Sequence, residues 1–175
     1  LKLHGYRFKT INNNEAGGYS YLKNKNVSLI IDVGSSPERK FSQNYQSGPL
    51  SFEMFYSGNK IITNSGFFQN YKHQLNSISK STAAHSTLVL DNSSINRFKK
   101  QTNGNILIED SFKVFDKKII LDKKKWAVKA SHDGYQKKYG TTHRREIEYL
   151  IDSNTLIGKD LLLKRKNFKS CNFEI

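Results

Sequence analysis

At 175 residues the chain is long enough for one domain with a core of ordinary proportions, and it needs no metal or disulfide to staple it. Its hydrophobic share of 36% is low, yet eleven Phe and nine Tyr suit half-buried strands better than a disordered tail. Lys and Arg outnumber Asp and Glu by 29 to 15, a net charge of +14, so nucleic acid, anionic lipid and acidic polysaccharide are the partners to weigh; a coding bias toward Lys, Asn and Ile accounts for the charge equally well.

Strand signals then recur along the chain at short intervals, the rhythm of an antiparallel sandwich or barrel. Asn12-Asn13-Asn14 reads as a flexible tip. Val27 to Val33 is a nearly continuous apolar run, as in a strand covered on both faces. Leu50 to Tyr56 and Lys60 to Thr63 flank Gly58-Asn59, a two-residue hairpin signal. Phe68, Tyr71, Leu75 and Ile78 recur at helical spacing, which predicts a short helix or an ordered crossing loop over 67–79. Asn103-Gly104 predicts a second turn before Ile106-Leu107-Ile108, and Asp116-Lys117 a third before Ile119-Ile120-Leu121. In Arg145 to Ile151 the residues Arg145, Ile147, Tyr149 and Ile151 share one face, a period of two. The chain reads as a single all-β domain, an antiparallel β-sandwich over 1–175, with room for a short helix at 67–79.

Several chemistries have no support. The sequence contains no phosphate-cradling GxxxxGK[ST], no GxGxxG after a strand, no HExxH and no GxSxG. A lone cysteine, Cys171, excludes an internal disulfide and a cysteine-based zinc site. No apolar run is long enough to span a membrane. The chain starts Leu1-Lys2-Leu3-His4-Gly5, with neither Met nor a leader-like apolar stretch, as expected of a piece of a longer protein.

Histidines in strand-associated, polar contexts remain. His85 lies in Thr82-Ala83-Ala84-His85-Ser86-Thr87-Leu88, where small neighbours leave room for the imidazole. His132 lies in Ala130-Ser131-His132-Asp133-Gly134-Tyr135, and His143 opens His143-Arg144-Arg145. Taken singly, each is as well explained as a hydrogen-bonded structural histidine. Tyr135 and Tyr139 beside Lys137 and Lys138 would suit sugar or base stacking. Arg144 and Arg145 would suit planar anions, or equally a charged strand edge that resists aggregation.

Those three segments in that order resemble the C-terminal half of heparinase II/III-like polysaccharide lyases. Gly18-Tyr19-Ser20-Tyr21, Ile31-Asp32-Val33-Gly34, Leu50-Ser51-Phe52-Glu53-Met54 and Asn64-Ser65-Gly66 add to the likeness, which covers roughly residues 5 to 160. The resemblance implies a β-sandwich that follows a helical toroid in the same protein, with the active cleft between them. It implies β-elimination on a uronic-acid polysaccharide of heparin, heparan or alginate type, and a periplasmic or secreted setting. His85 is then the catalytic group on the sandwich side, while other groups, including a tyrosine acid, come from the helical domain. The isolated chain is accordingly expected to lack lyase activity. Gln46, Tyr135, Arg144 and Arg145 would bind substrate; Gln46 stands where relatives often carry histidine, and an amide cannot exchange a proton.

Members of that family also bind zinc through two histidines and an aspartate. The resemblance maps His85 and His132 onto two of these places, with Asp91 or Asp110 as the nearest carboxylates. A basic β-domain that binds acidic glycan, or less readily nucleic acid, without chemistry is the alternative.

Overall fold

The computed structural model describes residues 15–164 and 169–174; the Asn12-Asn13-Asn14 tip lies outside them. Five strands form the first sheet in chain order: β1 (Glu15–Ala16), β2 (Tyr19–Lys23), β3 (Val27–Asp32), β4 (Phe52–Tyr56) and β5 (Asn59–Ile62). Two short pairs follow, with β6 (Val89–Leu90) against the late strand β13 (Phe173–Glu174), and β7 (Phe98–Lys100) against β8 (Ile106–Ile108). The second large sheet is a meander of β9 (Val114–Leu121), β10 (Lys125–His132), β11 (Thr141–Leu150) and β12 (Thr155–Lys164). Every pairing is antiparallel.

Alternation puts one face of each large sheet into a shared core. Leu22, Leu29, Ile31 and Met54 from the first sheet meet Trp126, Val128, Ile147 and Tyr149 from the second. This is the predicted all-β sandwich, with Arg145, Ile147 and Tyr149 buried along β11; β3 forms on the Val27 run but is covered on one face rather than both, with Ile30 41% exposed on the other. The aromatic pair Trp126 and Tyr149, with ring centroids 5.5 Å apart, sits directly across a strand pair. A second apolar cluster of Leu88, Leu90, Ile95, Phe112, Tyr135 and Tyr139 closes one end. Among the described residues no helix is long and apolar enough to cross a membrane.

Three local expectations change. The first hairpin turns at Ser57-Gly58, one residue earlier than Gly58-Asn59. Both turn residues have positive φ, 47° and 81°, and Tyr56 pairs with Asn59, the geometry of a type I′ turn. Asp116 makes no hairpin. It takes φ 52° inside β9, where Asp116-Lys117 stands opposite the one residue Ala130, so the turn-forming signal is spent on a β-bulge.

The helix exists as α1 (Gln74–Lys80), but its apolar spacing marks the wrong face. Leu75 and Ile78 are 40% and 54% exposed, whereas Asn76, Ser79 and Lys80 are buried. Asn76 donates from Nδ2 to the Phe68 carbonyl at 2.6 Å, and Lys80 donates from Nζ to the Gln43 carbonyl between the rings of Phe67 and Phe98. The Lys80 bond ties α1 to the loop at 42–48, and Ser47 N–H completes that tie by donating to the Lys80 carbonyl at 3.0 Å, while the Asn76 bond ties α1 to Phe68.

Candidate functional site

A cavity of about 350 Å³ opens beside the outer face of the first sheet. Tyr19, Ile30, Asp32 and Glu53 form its floor on β2, β3 and β4; the 44–48 loop, Asn64, Gly66 and His85 form its walls. Register explains the floor. Tyr19 pairs with Asp32 and Ile30 with Glu53, and on each strand the neighbouring residues point into the core.

His85 follows the single turn of 3-10 helix at Thr82–Ala84. Its Nδ1 lies 2.8 Å from the Ser81 carbonyl, which can only accept, so Nδ1 carries the proton. Nε2 is therefore left with a bare lone pair, buried and without a partner among the described residues, in a residue that lines the cavity. Burial lowers the His85 pKa, with the Ser81 bond and the Glu53 charge opposing, so the ring stays neutral at ordinary pH. The imidazole rests on Gly48, where an added Cβ would come within 2.6 Å of His85 Cγ. Gly48→Ala is expected to displace the ring and to cost about 1–3 kcal/mol, read as a drop in the urea midpoint and in the His85 NMR shifts.

Gln46 and His85 both line this cavity, but the Gln46 amide is spent on scaffolding. Nε2 donates to the carbonyls of Gly66 at 3.0 Å and Ser79 at 2.9 Å, which ties the loop at Gly66 to α1. Tyr45, Asp32 and Glu53 were not singled out from sequence. The Tyr45 hydroxyl is buried without a partner among the described residues, and burial together with the Asp32 charge raises its pKa. Asp32 accepts the Gly34 N–H on Oδ1 at 2.9 Å, yet burial pushes its pKa up to about 7. The one acid that interrupts the apolar Val27 to Val33 run was the available signal for it.

A raised carboxyl pKa has a signed consequence. Between the unfolded value near 4 and the folded value near 7 the native state binds the extra proton, so stability falls as pH rises through that window and then levels. Asp32→Asn is expected to stabilise the chain by about 2 kcal/mol at pH 8, after allowance for partial exposure, and by almost nothing at pH 4. Urea unfolding at the two pH values checks both the size and the sign.

His132 does not line this cavity. It is fully buried between Phe112, Tyr135 and His143. Gly134 N–H donates to His132 Nδ1 at 3.1 Å, so His132 Nε2 carries the proton and donates to His143 Nδ1 at 3.0 Å. His143 Nε2 in turn donates to Asp160 Oδ1 at 2.6 Å. Arg145, 3% exposed, holds the same carboxylate with Nε at 2.7 Å and Nη2 at 2.9 Å. Its Nη1 reaches the carbonyls of Leu50 and Ser86, the backbone that leads to Gly48 and His85.

Arg145 thus has no free edge for a substrate anion and instead anchors the site from behind. Tyr135 is likewise buried, with its hydroxyl donating to the Leu88 carbonyl at 2.7 Å, and Tyr139 is 4% exposed, so neither presents a stacking face. Arg144 lies on the other face of β11, beside Ser131 and Asp116.

The residues do not fit the zinc that the resemblance implies. Both His132 nitrogens are engaged; Asp91 Oδ1 accepts the Asn172 N–H and Asp110 pairs with Arg97, away from the cavity. Among the described residues no three His, Cys, Asp or Glu side chains gather as a metal site.

Residues 9–172 match the family model described as heparinase II/III-like, C-terminal. The chain belongs to the heparinase II/III-like C-terminal family. No curated protein matches it in sequence. Its fold is similar to the crystal structure of heparinase III, with TM-score 0.60 and 17% identity over 84% of this chain and 21% of that one. It is similar also to heparan sulfate lyase HepC from Pedobacter heparinus, with TM-score 0.61 and 18% identity over 84% of this chain and 21% of that one. The chain spans about a fifth of the length of these proteins. The heparinase-like domain accordingly shares their sandwich, and it carries His85 at a cavity on the first sheet.

Proposed function

We propose that this domain supplies the sandwich side of a polysaccharide lyase site that works by β-elimination on a uronic-acid polymer. The observation that carries the reading is the His85 tautomer: Nδ1–H is fixed on Ser81, and in this cavity-lining residue Nε2 is left as an unpartnered base. A neutral imidazole held in this way suits abstraction of the proton on the carbon α to the uronate carboxylate. The electron pair of that C–H bond then forms the ring double bond, and the glycosidic oxygen at the β carbon leaves as it takes a proton from an acid. Membership of the heparinase II/III-like family supports a glycosaminoglycan as the polymer, and a helical domain of the same protein as the source of that acid.

The test compares the full-length protein with the isolated chain on heparan sulfate, heparin and alginate. The full-length protein is expected to release unsaturated uronate, followed by its ultraviolet absorbance, and the isolated chain to release none. A full-length protein that binds glycan but forms no unsaturated product would make the domain a binding module.

A further inference from the structure

We infer that a groove which shares no lining residue with the His85 cavity binds a sulfated stretch of polysaccharide, as an anchor apart from the site of chemistry. The choice of a polysaccharide rests on the lyase reading; the groove and its fit to sulfate do not.

Two adjoining cavities of about 430 and 690 Å³ share Ser94, Arg97 and Lys138, and together they reach from α2 (Gln136–Tyr139) to the β7–β8 hairpin. The charge of the chain concentrates here. Arg97, Lys100, Lys137 and Lys138 line the groove, whereas among the described residues no Lys or Arg lines the His85 cavity. Two carboxylates line the groove as well, but each is already matched by a cation, Asp110 by Arg97 Nε at 3.3 Å and Glu109 by Lys99 Nζ at 3.5 Å. Lys100, Lys137 and Lys138 are left without a carboxylate partner among the described residues, which makes the groove positive.

Its donors are unspent. Arg97 uses its backbone N–H and Nε on Asp110, so Nη1 and Nη2 have no acceptor among the described residues, unlike those of Arg145. Lys138 donates from Nζ to Ser93 Oγ at 2.5 Å, with the ammonium 5.0 Å from the Tyr139 ring centroid; this directs the side chain and leaves two N–H bonds over. Ser94 Oγ accepts the Thr82 N–H at 3.1 Å, and its own proton has no acceptor among the described residues. A guanidinium edge, an ammonium and a hydroxyl on the residues common to both cavities suit the three peripheral oxygens of a sulfate ester, which only accept; a carboxylate has one oxygen fewer to offer them. Tyr135 and Tyr139 are buried, so the tyrosines of the groove present no face to a nucleobase. Asn96, which lines the groove, is bonded through Oδ1 and N–H to the buried Ser47 hydroxyl, between Gln46 and Gly48 of the cavity wall, so an anchored polymer is held on backbone tied to the His85 site.

The experiment titrates the isotope-labelled chain with a fully sulfated hexasaccharide of alternating uronate and glucosamine, its N-acetylated unsulfated counterpart, and a single-stranded oligonucleotide of the same charge as the sulfated probe. The sulfated probe is expected to shift Ser94, Arg97 and Lys138 and to bind about tenfold or more tightly than either of the others. Arg97→Gln with Lys138→Gln should weaken it about tenfold or more at an unchanged melting temperature, and Lys100→Gln with Lys137→Gln, which breaks no contact among the described residues, about threefold or more. An unsulfated probe or an oligonucleotide that binds the groove as tightly as the sulfated one would overturn the proposal. So would shifts that lie outside the groove, or an affinity that neither double substitution moves. The lyase reading fails separately: these binding results beside a full-length protein that forms no unsaturated product would keep the groove and remove the elimination, and elimination by a protein whose groove shows no shifts would do the reverse.

Discussion

Asp160→Ala is expected to be the most damaging single substitution for stability, at about 3–5 kcal/mol, seen as a large fall in the urea midpoint or as failure to fold. Asp160 is the counter-ion of Arg145 and the terminal acceptor of the His132 to His143 chain. Its removal leaves a buried guanidinium unpaired and strands the His143 Nε2–H. Replacement of Arg145 and Asp160 together by apolar residues of similar volume should cost much less than Asp160→Ala alone, because neither charge is then left uncompensated.

The pH dependence of the same cluster follows by sign. His143 and Arg145 hold the Asp160 carboxyl well below the usual carboxylate range, so its contribution is present above the unfolded value near 4 and fades as pH falls toward the folded one. Burial lowers the pKa of His132, with the neighbouring His143 and Arg145 adding to it, and burial likewise lowers that of His143. Both histidines therefore cost stability from about pH 6.5 downward, well before Asp160 titrates. In an Asp32→Asn background, where the opposing titration of Asp32 is removed, unfolding midpoints measured from pH 7.5 to pH 3 should fall in two stages, and His132→Gln should flatten the first.

The second large effect is expected on catalysis. In the full-length protein, His85→Asn should lower kcat by about 10²–10⁴-fold with a small change in KM, the usual range for loss of a positioned base. Asn is the informative choice, because its amide N–H can still donate to the Ser81 carbonyl while nothing replaces the Nε2 lone pair. An unchanged melting temperature would separate loss of the base from loss of the fold. A variant that retains wild-type kcat would assign proton abstraction to a group outside this chain.

Strand content, the Val27 run, the buried face of β11 and the Asn103-Gly104 turn were legible in the sequence, because alternation and turn chemistry depend on neighbours a few residues apart. The family pattern pointed to Gln46 and His85, which line one cavity, but also to His132, which is buried elsewhere. The roles of Arg145 and Tyr135 were not. A basic or aromatic residue on a strand looks the same in sequence whether it faces a ligand or a buried carboxylate 15 residues later, as Arg145 faces Asp160.

Local sequence alone determined that this chain would be a twisted pair of antiparallel sheets, since a period of two over several strands leaves each sheet with one apolar face that must be covered. Tertiary packing decided everything about the site. The apolar spacing of α1 pointed to a buried face that in fact remains exposed, because Asn76 and Lys80 find backbone carbonyls that only the folded 42–48 loop and Phe68 present. Asp32, Tyr45, Glu53 and His85 become one cavity wall only when β3, β4 and two loops close on each other. The shifted pKa values of Asp32, Tyr45 and His85 come from that burial, a property of the assembled surroundings rather than of any residue's neighbours in the chain.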